Sequence, residues 1–367
     1  MSRPTRAIID LTALRHNYEL AQQLTGGGLA MPIVKANAYG HGAILVASQL
    51  DTMAPAFGVA CIEEAMELRA AGINSPILLL EGFFSEDELQ LAAQHNFWLM
   101  VQNRNQLAAL ATVKPATPLT VWLKLDTGMH RLGFDPAQAA RLHAELQSMP
   151  AVADNIVIAT HFACADDLDN TFTDQQIAQF QRHTQALNTL SSLANSPALL
   201  GWPQARSDWN RPGFMLYGQS PFSHDHPLAS RLKPVMTFRS EVMALREIVA
   251  GDSVGYANSW TAQRNSRIAT VPVGYGDGYP RHAANSTPVL INGQRARLVG
   301  RVSMDLITVD VTDLGPVAIG DEVILWGKDL SANEVASYAD TIGYEILTRL
   351  HNRVPRVIAT SQAPVPS

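Results

Sequence analysis

From about residue 31 to residue 217, short apolar runs alternate with longer segments of helical period. The runs are MPIVK (31–35), AFGVA (56–60), PILLL (76–80), FWLMV (97–101), LTVWLKL (119–125), NIVIATH (155–161), a weak one near Leu193, and FMLYG (214–218). Eight buried strands joined by amphipathic connections predict a closed parallel (β/α)8 barrel of the TIM type, because parallel strands need helical crossovers and are covered on both faces. Helix starts are legible as well. Ser85 followed by Glu86, Asp87 and Glu88 reads as a capping serine with acids in the first turn, and Thr173-Asp174 opens a helix of about 20 residues.

After about Leu232 the texture changes to short β-type runs separated by Gly, Pro, Asn and Asp: VMTFRSEVMAL (235–245), RIATVPV (267–273), TPVLI (287–291) and DEVILW (321–326). These predict a second, mainly β domain, interrupted by one helix that Ser331 and Asn333-Glu334 open. The resulting division is an N-terminal strand within residues 1–10 that packs with the β domain, a barrel over 11–231, and the β domain over 232–367. No fixed-period repeat and no low-complexity segment is visible.

Composition narrows the function classes. With 47% hydrophobic and 16% charged residues over 367, the chain reads as an ordinary folded protein. A net charge of −6 with scattered Lys and Arg offers no face for nucleic acid. The start, MSRPTRAIID, lacks the apolar run of a secretory signal, and no stretch of ~18 apolar residues occurs, so the expectation is a cytoplasmic protein without a membrane partner. Cys61 and Cys164 form neither a disulfide framework nor a metal-ligand cluster, and read as buried small hydrophobes.

Chemistry in such a barrel sits at the C-terminal ends of the strands, so polar groups that end apolar runs are the candidates. Lys35 ends the first run. Partial desolvation there lowers an amine pKa and makes a Schiff-base nucleophile, although a lysine snorkelling from a strand end fits the same pattern. Arg131 follows the fifth run, His161 ends the sixth, Asn195-Ser196 follows the seventh, and Arg211 opens the eighth. Singly, these could be a surface ion pair, a satisfied core histidine or a helix cap. Together they would face one mouth.

The stretch Val34 to Gly42 (VKANAYGHG), with DTGMHRLGF (126–134), RPGFMLYG (211–218), VGYANSWTA (254–262), GYGDGYPR (274–281), GRVSMD (300–305) and RVPR (353–356), resembles the alanine racemase family over nearly the whole chain. The resemblance implies a pyridoxal 5'-phosphate enzyme that interconverts L-alanine and D-alanine, supplying D-alanine for the cell wall. Lys35 would carry the cofactor as a Schiff base and serve as one base, and Tyr256 would serve the opposite face of the substrate. Racemisation needs a proton acceptor on one side of Cα and a donor on the other, so two bases are the economical design. His161 would hydrogen-bond Tyr256.

The same resemblance gives the phosphate to Tyr39, the Ser196 hydroxyl, the backbone N–H groups of Gly213 and Phe214, and Tyr344. Arg211 would face the cofactor's ring nitrogen, which a guanidinium, donating only, leaves unprotonated. Arg131 would contact the cofactor's phenolic oxygen and the substrate carboxylate, with the backbone of Met304 near that carboxylate. Lys124 matches a lysine that is carbamylated in some relatives. Tyr275 and Tyr344 would close the pocket entrance. Tyr256, Tyr275 and Met304 would reach the active site of a second subunit, making a homodimer with shared sites. The rival readings are a racemase of serine or a broader amino-acid set, a non-catalytic pyridoxal-phosphate carrier on the same barrel, and a decarboxylase of similar plan.

Overall fold

The computed structural model describes residues 3–359; Met1, Ser2 and residues 360–367, and with them the outer ends of the domain division, lie outside the described residues. The chain opens with β1 (Arg6–Ile9) and the helix Leu11–Leu24, whose first turn is capped by Asp10 Oδ1 accepting from Thr12 N and Ala13 N. Eight parallel strands follow: β2 (Leu29–Ala30), β3 (Phe57–Val59), β4 (Ile77–Leu79), β5 (Phe97–Val101), β6 (Val121–Lys124), β7 (Val157–Ala159), β8 (Leu190–Ser192) and β9 (Trp209–Asn210). β9 pairs back to β2, and the ring closes where Ile33 bridges Gly58, with Val34 N donating to Gly58 O at 2.8 Å. The fold is therefore a (β/α)8 barrel.

Its interior is packed solid. Met31, Leu78, Met100, Trp122 and Trp209 form a buried cluster, and Trp98 meets Trp209 edge-on at 5.4 Å between ring centres. A filled interior leaves the mouth as the place for chemistry.

The strands sit differently from the sequence expectation at two places. The run at 214–218 is not the eighth strand but a tight 3-10 turn, Phe214–Tyr217, ended by Gly218 at φ +78°. Pro212 and Gly213 break extension, and the Gly213 and Met215 amides turn aside to donate to Ser196 Oγ at 2.8 and 3.3 Å. Arg211 consequently follows the eighth strand, β9, rather than opening it. The first strand likewise begins earlier, at Leu29, and Lys35 starts a separate turn. The helix read from Thr173 is Phe172–Thr184, 13 residues rather than about 20. Ser85 does not cap its helix, which begins at Asp87; its hydroxyl reaches the Glu88 carboxylate at 3.5 Å. Cys61 and Cys164 are half-buried and free, not core residues.

The second domain holds β10 (Met236–Glu241), β11 (Ala244–Ile248), β12 (Ser253–Val254), β13 (Trp260–Thr261), β14 (Ser266–Val271), β15 (Pro288–Ile291), β16 (Gln294–Leu298), β17 (Ile307–Asp310), β18 (Glu322–Trp326) and β19 (Arg356–Ile358). Its main sheet runs β11-β14-β17-β16-β15-β18-β10-β1-β19. β1 thus crosses into this sheet, antiparallel to β10 and parallel to β19, before the barrel begins. The helices Ala332–Ser337 and Gly343–Thr348 return from the β domain to the barrel mouth, and Ser331 caps the first by accepting from Asn333 N at 3.2 Å.

Gly40 is where this return meets the barrel. Its φ is +81°, and a Cβ on it would lie 2.0 Å from the Leu347 carbonyl oxygen. Gly40→Ala is expected to cost more than about 2 kcal/mol in urea unfolding. Gly72→Ala, at φ +87° but with no atom within 4 Å of the added carbon, is expected to cost about 1 kcal/mol. Equal costs at the two positions would contradict this account of the contact.

Candidate active site

Lys35 lies at the end of the extended segment leading from β2, and the chain after it winds the wrong way. Ala36, Asn37, Ala38 and Tyr39 have φ of 52°, 54°, 52° and 51°. An L-residue in that region costs about 1–2 kcal/mol, and here there are four in succession. The turn is tied down on several sides. Glu64 Oε1 accepts from Ala36 N at 2.7 Å, Asn37 Oδ1 accepts from Ala43 N at 2.7 Å, and Arg356 Nε donates to Gly40 O at 2.9 Å. The result sends both Lys35 and Tyr39 into the same cavity.

That cavity, about 790 Å³ at the C-terminal ends of the strands, is bordered by Lys35, Tyr39, Lys124, Arg131, His161, Ser196, Arg211, Gly213 and Tyr344. Nine of the residues singled out from the sequence therefore meet at one mouth. A second cavity of about 660 Å³ at the opposite end of the barrel, beside Gly26, Ser191 and Asp208, is bordered by none of them.

Two kinds of surface line the site. One is neutral and donating. The Tyr39 hydroxyl lies so near Gly213 that a Cβ there would fall 2.7 Å from it. Ser196 Oγ gathers the Gly213 amide, and Tyr344 stacks on Phe214 with ring centres 3.6 Å apart. Burial pushes the Tyr39 phenol up to about 12 and raises that of Tyr344, so both remain protonated donors at neutral pH.

The other surface is cationic. Arg211 is buried and donates to Ser192 Oγ at 2.5 Å, Thr160 O at 2.6 Å and Leu193 O at 3.1 Å, and its second nitrogen comes within 3.5 Å of His161 Nδ1. Among the described residues no carboxylate pairs with it, and burial lowers its pKa to about 10, still charged at neutral pH. Desolvation lowers Lys124 to about 7, helped by Arg211, Arg131 and Lys35. Lys35 is lowered by desolvation and by Arg131, against the opposing pull of Glu81. His161 is driven well below its ordinary value by burial and then by the same cations, so it is neutral.

Tyr256, Tyr275 and Met304 do not border this cavity. Tyr256 opens the short turn Tyr256–Asn258 of the β domain and is 67% exposed; Met304 is 54% and Tyr275 40% exposed. In a single chain, His161 makes no hydrogen bond to Tyr256.

The chain was compared with known proteins. The alanine racemase N-terminal domain model matches residues 9–221, and the C-terminal domain model matches residues 235–358. The chain belongs to the alanine racemase family. An alanine racemase of Pseudomonas syringae is 52% identical over 355 residues, covering 97% of this chain and 99% of that one. A protein of Pseudomonas aeruginosa named alanine racemase, catabolic, is 51% identical over 97% of this chain and 99% of its own length. The crystal structure of the biosynthetic alanine racemase of Pseudomonas aeruginosa superposes with a TM-score of 0.94 at 47% identity, covering 98% of this chain and 100% of that one. An alanine racemase structure from Bartonella henselae with covalently bound pyridoxal phosphate gives a TM-score of 0.89 at 33% identity, over 97% of this chain and 99% of that one.

One residue of this racemase-family site was passed over in the sequence although the rule used there would have found it. Glu81 directly follows the PILLL run and borders the cavity beside Lys35. Gln176 was invisible by that rule because it lies inside the helix Phe172–Thr184. From there it donates to His161 O at 3.1 Å and Thr127 Oγ1 at 3.2 Å, bracing the loops that carry His161 and Arg131.

The depressed pKa of Lys124 has a sign that can be measured. Between roughly pH 7 and pH 10 the unfolded chain holds a proton on this lysine that the folded chain does not, so stability rises with pH across that window. Urea unfolding of cofactor-free protein in bicarbonate-free buffer should show that rise, by up to about 1.4 kcal/mol per pH unit. Lys124→Met should flatten it. An unchanged slope in the variant would contradict the assignment.

Proposed function

We propose that this chain interconverts L-alanine and D-alanine with pyridoxal 5'-phosphate attached to Lys35, and that each active site is completed by Tyr256, Tyr275 and Met304 of a second copy. The observation that carries the reading is the convergence, in one cavity, of a desolvated lysine at a barrel strand end with a neutral donor set and a buried guanidinium. The donor set fits a phosphate dianion: the Tyr39 hydroxyl, the Ser196 hydroxyl and the Phe214 amide at the start of a 3-10 turn, with the Gly213 amide, which donates to Ser196 Oγ, joining them by turning from that oxygen to the ligand. Tyr344 adds a hydroxyl held in place by its stack on Phe214. Bound pyridoxal phosphate supplies an electrophile that acidifies the substrate's Cα–H bond.

The protein's own groups do the rest. Arg131 binds the substrate carboxylate, with the Met304 backbone from the second copy near it. Lys35 Nζ and Tyr256 Oη then hold and move the proton at Cα from opposite faces. Neutral His161 hydrogen-bonds the incoming Tyr256. Arg211, held by three oxygen acceptors and able only to donate, would face the cofactor's ring nitrogen and leave it without a proton, which would limit the charge delocalisation that favours side reactions. Lys124, lowered toward neutrality, is in the amine form that carbamylation requires, and the product would be an anion among cations. Tyr275 and Tyr344 narrow the entrance, which favours a methyl side chain.

A second copy is supported by the exposure of Tyr256, Tyr275 and Met304 together on one domain. The division into an N-terminal strand, a barrel and a β domain is part of the same reading, supported by β1 pairing with β10 and β19. The two free cysteines fit a reducing, cytoplasmic setting. Among the described residues no helix is long and apolar enough to cross a membrane. Supply of D-alanine for the cell wall is the biosynthetic use of this reaction. The reaction is reversible, and a relative named catabolic at 51% identity keeps D-alanine breakdown beside it.

Purified protein should racemise alanine far faster than serine, lysine or arginine. Borohydride reduction should fix the cofactor to the peptide containing Lys35, and a label on another lysine would overturn the assignment. Tyr256→Phe should lose about 10²–10⁴ in turnover while keeping the cofactor's absorbance. Full activity in that variant would refute the two-base scheme.

A further inference from the structure

Tyr275 and Met304 ride on two loops that are laced together. Tyr275 N donates to Ser303 O at 3.1 Å and Gly276 N to Met304 O at 2.9 Å. The approach is close enough that a Cβ on Gly274 would fall 2.3 Å from Ser303 O. Beneath them lies Asp277, whose carboxylate is fully buried. It accepts from Arg3 NH1 and NH2 at 2.5 and 2.6 Å, from Arg353 Nε at 2.8 Å and from Gly274 N at 2.9 Å.

The two arginines do different things. Arg3 spends its remaining contact on Pro272 O, away from the Met304 loop. Arg353 turns its other face outward. Its NH2 donates to the Asp305 carboxylate at 2.8 Å and lies 3.4 Å from Met304 O. One planar fork therefore spans from the buried Asp277 to the loop of Met304 and Asp305, which a lysine's point charge could not do.

We propose that Arg353 is a positioning residue for the substrate carboxylate: anchored on Asp277, it fixes the Met304–Asp305 backbone that completes the alanine site of the second copy. The inference rests on the reading of Met304 given under the proposed function. Because the carboxylate is common to both enantiomers and keeps its contacts through the reaction, loss of Arg353 weakens binding of L- and D-alanine alike and leaves the proton transfers intact.

The test is steady-state kinetics of the holoenzyme in both directions. Removing Arg353 leaves Asp277 paired with Arg3, so Arg353→Ala strands no bare buried charge. It is expected to raise KM for both enantiomers at least about fivefold with kcat changed by less than about twofold, the signature of lost uniform binding. Asp305→Asn, an exposed change on the outer side of the fork, should shift KM in the same direction by less. Arg3→Ala breaks an ion pair to the same carboxylate and should lower the melting temperature while leaving KM within about twofold. The proposal is overturned if neither Arg353→Ala nor Asp305→Asn raises KM, or if Arg3→Ala raises it as much as Arg353→Ala does. Wild-type protein that fails to racemise alanine would instead defeat the proposed function itself, before any variant is compared.

Discussion

Lys35, Lys124, Arg131 and Arg211 share one cavity, where burial and then nearby positive charge make it harder for the two lysines to hold a proton: Arg131 acts on Lys35, and Arg211, Arg131 and Lys35 act on Lys124. Among the described residues no carboxylate neutralises Arg211, which is held by a hydroxyl and two backbone carbonyls instead. Burying a guanidinium without a counter-charge is costly. A site built this way favours anionic groups, and the proposed cofactor and substrate bring a phosphate and a carboxylate. Burial first and this crowding second keep His161 neutral and bring Lys124 near neutrality, so one desolvated cluster of cations underlies several of the roles assigned here.

The barrel supplies these groups from one side only. Strand ends and the returning helix Gly343–Thr348 line the cavity, while the β domain's Tyr256, Tyr275 and Met304 are exposed and do not border it in the single chain. A reaction that exchanges a proton from both faces of a carbon cannot be run by groups on one face. The left-handed turn after Lys35 adds to this. Four residues at positive φ, braced by hydrogen bonds from Glu64, Asn37 and Arg356, fix where Lys35 and Tyr39 enter the cavity, which fits the proposal that a second copy supplies the other face.

Much of this was legible in the sequence because barrel strands are short apolar runs and chemistry sits where they end. Lys35, Arg131, His161 and Ser196 follow from that rule, whereas Arg211 was read as opening a run and meets the rule only because β9 (Trp209–Asn210) ends just before it. It failed at Phe214–Tyr217, since an apolar run of four or five residues looks the same as a strand or as a 3-10 turn. The difference lay in Pro212 and Gly213, which withdraw the backbone from the sheet. β16 and β17 were missed because QRARL and ITVD are too polar to stand out. The left-handed turn was beyond any sequence rule, for Ala and Tyr are not residues that signal positive φ. Gln176 could not be seen either, because its partners His161 and Thr127 are reached only through the packing of its helix against the barrel.

The central claim is that Lys35 of one copy works with Tyr256 of another, and subunit complementation tests it most directly. Lys35→Ala and Tyr256→Phe proteins, each inactive alone, are dissociated, mixed and reassociated, and alanine racemisation is measured. The account predicts that activity returns in mixed dimers, at one competent site per dimer, because one of the two sites then holds both an intact Lys35 and an intact Tyr256. A mixture that forms mixed dimers yet stays at the background of the separate variants would contradict it.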